Sequence, residues 1–102
     1  MILLKFECDY ADEFDVYGFE VISEERWQAI QVAIADLKYP CGDFYFGTNE
    51  GIIFESAQEL RNSFEAIEIT EDEVKVLEKC FKKFNHISYG WIPTDIIIDK
   101  AR

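Results

Sequence analysis

Four carboxylates crowd into seven residues near the start of the chain, Asp9-x-x-Asp12-Glu13-x-Asp15, and Glu20 follows five residues later. Tyr10, Phe14 and Tyr17 are interleaved with them, and Phe19 comes next. Carboxylates at this density suit cation coordination, proton transfer, or charge-assisted hydrogen bonds to Arg and Lys. The run lacks the glycine and distal glutamate of a calcium-binding loop. Carboxylate pairs for acid–base chemistry arise in any chain this acidic, so they carry no weight. Rings set among charges favour the third use, because anchoring aromatics within a charged rim are the usual composition of a recognition patch. Asp9, Tyr10, Asp12, Glu13, Phe14, Asp15, Tyr17 and Glu20 are therefore the candidate partner-binding residues. The acids would steer and hydrogen-bond a cationic partner while the rings pack. The plain alternative is a solvated face that keeps the protein soluble.

Other reactive residues are sparse. Cys8, Cys41 and Cys80 form no Cys-x-x-Cys pair and are odd in number, a poor framework for disulfides or zinc. They read as buried structural thiols, and free Cys packs as a small hydrophobe. A single histidine, His86, excludes the multi-histidine metal sites. No nucleophile sits in a Gly-x-Ser-x-Gly turn. Gly47-Thr-Asn-Glu-Gly51 belongs to a hairpin and not to a strand–helix phosphate loop. Lys75, Lys79, Lys82 and Lys83 share one side of a helix and read as a solvated face. The expectation is a chain with no enzymatic activity, cofactor or metal.

The 102 residues carry ten Lys and Arg against 21 Asp and Glu, a net charge of −11. That balance argues against a direct hold on nucleic-acid phosphates, which takes clustered positive charge, and against anionic membrane surfaces. The acidity is uneven. Residues 1–25 hold eight acids and one base, Lys5, whereas residues 56–102 hold nine acids and seven bases. A field of one sign raises the association rate of an oppositely charged partner by about 10- to 1,000-fold, at a cost in self-repulsion. The apolar run at the start is too short for a signal peptide, and no stretch approaches the roughly 18 apolar residues of a spanning helix. With sparse cysteines, this fits a cytoplasmic, reducing, bacterial-type compartment.

The elements that must position the acids are legible from periodicity. At 49% apolar and 16% aromatic the chain can bury a core. Residues 2–9 alternate, with Ile2, Leu4, Phe6 and Cys8 on one face and Lys5, Glu7 and Asp9 on the other. Residues 16–22 predict a second strand with Tyr17, Phe19 and Val21 together. Ser23 caps a helix to about Lys38, with Trp27, Ile30, Ile34 and Leu37 as its apolar stripe. Asp43–Gly47 and Ile52–Glu55 predict a hairpin across Thr48–Gly51. Ser56 with Glu59 and Thr70 with Glu73 are capping boxes, the first for a short turn to about Asn62, the second for a helix to about Phe84. The stripe of that helix is Val74, Leu77, Phe81 and Phe84. Phe64–Ile69 and the β-branched run Thr94–Asp99 predict strands. Together these give a single acidic α+β domain over residues 1–102, with a mixed, mostly antiparallel sheet and two main helices packed on one side.

Two segments and the helix between them carry a resemblance. Ala11-Asp-Glu-Phe-Asp-Val-Tyr-Gly-Phe19, the Trp-bearing helix after it, and Tyr45-Phe-Gly-Thr-Asn-Glu-Gly-Ile-Ile-Phe-Glu-Ser56 resemble small acidic bacterial immunity proteins of polymorphic toxin systems, of the contact-dependent growth inhibition type. The similarity covers the first two-thirds of the chain. It implies a cytosolic antidote that binds the C-terminal toxin domain of a secreted protein and blocks its active site or substrate cleft. Many such toxin domains are basic nucleases, often acting on tRNA. The alternative class is an acidic regulatory or adaptor domain that binds a host protein or mimics nucleic acid. Either way the expected partner is a protein, met by a monomer, with no nucleic acid or membrane bound directly.

Overall fold

The structure of the chain, a computed structural model, describes residues 1–10, 14–44, 52–81 and 88–102. Two nine-residue strands, β1 (Ile2–Tyr10) and β2 (Phe14–Ile22), pair antiparallel from Ile2↔Ile22 to Tyr10↔Phe14. Strand β5 (Phe64–Glu68) adds to β1, and β6 (Ser88–Gly90) adds to β2, for a sheet of order β5-β1-β2-β6. A second, two-stranded sheet joins β3 (Cys41–Phe44) to β4 (Ile52–Phe54). The helices are α1 (Glu24–Asp36), α2 (Ala57–Asn62), α3 (Glu71–Phe81) and α4 (Thr94–Lys100). The fold class is α+β with a mostly antiparallel sheet, as the sequence predicts.

Alternation along β1 and β2 divides the large sheet into two faces. Ile2, Leu4, Phe6, Val16 and Ile22 are buried on the inner face. There they share one core with Trp27, Ile30, Ala33 and Ile34 of α1, Leu60 of α2 and Ile97 of α4. Phe44 and Phe54 of the small sheet join it, their rings edge-on at 5.2 Å. Phe6 lies 5.0 Å from Phe64 and 5.6 Å from Trp91, and Phe64 lies 6.0 Å from Trp27. Tilted and edge-on rings at such separations add to the burial they bring. The Arg61 guanidinium sits 4.8 Å over Trp27.

The helix starts follow their caps. Ser23 Oγ accepts from Arg26 N–H at 3.1 Å, and Ser56 Oγ from Glu59 N–H at 3.1 Å. Glu59 answers through Glu55 N–H at 3.0 Å, one residue before the expected position. At α3 the box is reciprocal: Glu73 N–H donates to Thr70 Oγ1 at 3.2 Å, and Thr70 N–H to Glu73 Oε1 at 2.9 Å. Val74 and Leu77 of its stripe are half-buried; Phe84 lies outside the described residues.

Three expectations need correction. Thr94–Asp99 is helical and not a strand; the last strand is Ser88–Gly90. Thr94 and Ile97 are buried and Ala101 half-buried, while Asp95 and Asp99 face solvent. This is a 3.6-residue period that the β-branched composition conceals, and burial against α1 overrides strand propensity. Strand β3 begins at Cys41, two residues early, and the turn after Phe44 lies outside the described residues. Of the thiols, Cys41 is buried and Cys8 half-buried, but Cys80 is exposed.

Two expected outcomes follow from this packing. At Gly90 (φ +73°) an added Cβ would lie 2.4 Å from Tyr17 O. Gly90→Ala should therefore lower stability by about 1–3 kcal/mol in urea unfolding; an unchanged midpoint would show that β6 is not seated on β2. The second concerns Glu73, whose hydrogen bonds from the Thr70 backbone and hydroxyl hold its carboxyl below the usual range. A lowered folded-state pKa gives stability that is present above the unfolded carboxyl range and lost as pH falls through the folded value. NMR titration should find the Glu73 carboxyl pKa low in the wild type and partly raised in Thr70→Ala, which keeps the backbone donor and loses the hydroxyl; the same pKa in both would remove the hydroxyl as a cause.

Candidate functional site

The two long strands outrun their neighbours. Strand β5 covers β1 only from Ile2 to Phe6, with one further bond from Glu7 N–H to Ser63 O at 2.9 Å. Strand β6 covers β2 only at Gly18–Glu20, with Trp91 N–H donating to Tyr17 O at 3.1 Å. Beyond these points, among the described residues, β1 and β2 pair only with each other. Asp9 and Asp15, the described members of the acidic run, lie on the part of this strand pair that outruns its neighbours. Its register sets Asp9 opposite Asp15, Tyr10 opposite Phe14 and Glu7 opposite Tyr17. Asp12 and Glu13 lie outside the described residues.

The structure separates the remaining two candidates. Tyr17 is on the outer face and 60% exposed. Glu20 belongs to the inner face, opposite Leu4, and its Oε2 accepts from the Thr94 hydroxyl at 3.0 Å. Thr94 is buried at the first turn of α4, where a carboxylate suits the exposed N–H groups of the helix. Arg26 of α1 pairs with Asp95 one residue further on. Glu20 therefore ties β2 to α4, while Tyr17 is presented to solvent.

Residues the sequence did not single out complete the surface around Tyr17. An outer-face row runs across all four strands as Glu65–Lys5–Phe19–Tyr89. Phe19 stacks on Tyr89 at 5.9 Å and 24°. Lys5 Nζ is 3.5 Å from Glu65 Oε2, with both side chains more than half exposed, so the pair is worth little and exchanges readily. An open cleft of about 860 Å³ starts from this row and turns around the edge of β1 where β5 ends. Its lining includes Glu7, Tyr17, Phe19 and Tyr89 from the large sheet and Ile53 and Glu59 from β4 and α2. Lys5 is the one base among its lining residues, against Glu7, Glu59 and Glu65. Strand alternation places Glu7 beside Lys5; Tyr89 joins only through the β2–β6 pairing, between positions 70 residues apart in sequence, which no local pattern reveals.

Among the described residues no three His, Cys, Asp or Glu side chains are arranged to hold a metal ion, and no helix is long and apolar enough to cross a membrane. His86 lies outside the described residues, as do Lys82 and Lys83, while Lys75 and Lys79 are exposed. No protein-family model, curated protein or solved structure matches this chain.

The division of labour between Glu20 and Tyr17 is measurable in stability alone. Glu20→Ala leaves the buried Thr94 hydroxyl without its acceptor and should cost about 1–3 kcal/mol. Tyr17→Thr, on the exposed outer face, should stay within about 0.5 kcal/mol. Equal urea midpoints for the two variants would remove Glu20 from the scaffold.

Proposed function

We propose that the chain is an immunity protein that binds and neutralises the C-terminal toxin domain of a secreted bacterial toxin. The observation that carries this reading is the dense acidity of residues 9–20, interleaved with aromatics, whose described members Asp9 and Asp15 lie where β1 and β2 outrun their neighbouring strands. A basic nuclease domain, tRNA-cleaving ones included, is the fitting target. A cleft built to hold phosphate is lined with Arg and Lys, and an acidic surface meets the same groups. On this reading the protein acts by occupancy, with no chemistry of its own, and works in the cytoplasm, where the toxin arrives. The resemblance of residues 11–19 and 45–56 to acidic immunity proteins supports the same conclusion.

The deciding experiment is a pull-down with tagged protein from the native organism's lysate, washed at low and then high salt, with mass spectrometry of what remains bound. The expected catch is one basic domain from the C-terminal end of a large secreted protein, and its nuclease activity should fall when this chain is added. Asp12→Lys with Asp15→Lys should slow association at least about ten-fold while leaving the unfolding midpoint nearly unchanged. Unchanged association kinetics would take the hairpin out of the interface. A catch of housekeeping proteins alone, with the toxin expressed, would end the immunity reading in favour of an acidic adaptor domain.

A further inference from the structure

We propose that the cleft at the end of β1 takes an arginine side chain of the protein partner, its guanidinium stacked on the Tyr17 ring and paired with the Glu7 carboxylate. This rests on the reading of the chain as a binder of a cationic protein domain, and adds which side chain is read and where.

The geometry begins with register. Glu7 and Tyr17 are direct cross-strand partners on the outer face, so their Cβ atoms are about 5 Å apart. Both are exposed, and among the described residues the Glu7 carboxylate has no hydrogen-bond or ion-pair partner. An exposed ring beside an uncommitted carboxylate offers a planar cation two contacts at once, a face to stack on and an acceptor pair at its edge. Arginine meets both conditions with one group, whereas the lysine ammonium is a hydrated point charge without a plane. Ile53, exposed and also lining the cleft, suits the apolar stem that carries the guanidinium. Glu65 is a second acceptor within the same cleft, because its exposed pair with Lys5 is weak enough to exchange.

Charge selects among occupants. With three carboxylates and one lysine lining the cleft, an anion or a nucleic-acid strand meets repulsion there. A second copy of the chain would bring another net charge of −11. A cationic side chain on a folded basic domain is the occupant this surface favours.

The test uses the full chain titrated with octa-arginine and with octa-lysine by calorimetry, at low and at raised salt, with sedimentation of the free protein alongside. Octa-arginine should bind about three- to five-fold more tightly than octa-lysine, and Tyr17→Leu should erase that difference. Glu7→Gln should weaken octa-arginine by a similar about three- to five-fold factor. Asp36→Asn, which removes the same charge at the exposed end of α1, should change it much less. Equal affinity for the two peptides, or equal effects of Glu7→Gln and Asp36→Asn in folded protein, overturns the proposal. So does a dimer that Tyr17→Leu dissolves, since the face would then belong to a second copy. The outcomes separate from those of the pull-down. Failure here with a toxin domain captured moves the interface off the cleft; success here with none captured leaves the arginine site standing without the immunity reading.

Discussion

Strand β2 carries a bare stretch of backbone at Gly18, and the chain at Gly90 and Trp91 lies directly against it. A Cβ at Gly18 would stand 2.3 Å from Trp91 O, and one at Gly90 would stand 2.4 Å from Tyr17 O. Two backbones this close leave room for no side chain between them, and Gly90 also needs its positive φ. The contact seats the C-terminal segment. It delivers the Trp91 ring to the edge of Phe6, within the run of rings that continues through Phe64 to Trp27. Pro93 and Thr94 follow at once, so α4 starts where Glu20 can accept from Thr94 and Arg26 can pair with Asp95. Ile97, fully buried, then closes the core against α1.

This arrangement commits the inner face of the hairpin to stability and frees the outer one. Every even-numbered residue from Ile2 to Cys8 is buried or packed against the core. Tyr17 and Tyr89 are at least half exposed on the other side, so their rings add little to the burial that holds the fold. Singly exposed apolar residues need no explanation. Rings gathered on one sheet face beside an open cleft are a different case, the composition of surfaces that meet partners. The same two strands therefore carry a buried face and an exposed one, split by the two-residue period of the strand.

What the sequence made legible follows from how local each signal is. The alternation of residues 2–9, the stripe of α1 and the caps at Ser23, Ser56 and Thr70 involve neighbours within four positions, and each is in place. The helix at 94–100 was hidden because Ile96, Ile97 and Ile98 read as a β-branched run, and only packing against α1 decides between the two periods. The candidate site divides the same way. Acid density and aromatic interleaving are visible in order of residues, whereas the opposite duties of Tyr17 and Glu20 follow from strand parity combined with the position of α4. The Phe19–Tyr89 stack depends on a pairing between strands far apart in sequence.

The register sets the positions of Asp9 and Asp15 opposite each other. Eight acids against one base in residues 1–25 repel over a Debye length of about 10 Å at 0.1 M salt. The described basic side chains do not reach Glu7: Lys5 meets Glu65, Arg26 meets Asp95, and Arg102 approaches Asp99. Charge left uncompensated in this way costs stability and acts at a distance, so what it would contribute to the proposed binding lies in the rate of encounter and fades with salt. Rings act only on contact, so their contribution to the proposed complex would lie in how slowly it comes apart. On the proposed reading, steering by the acids and holding by Tyr17 would thus be separable properties of one strand pair.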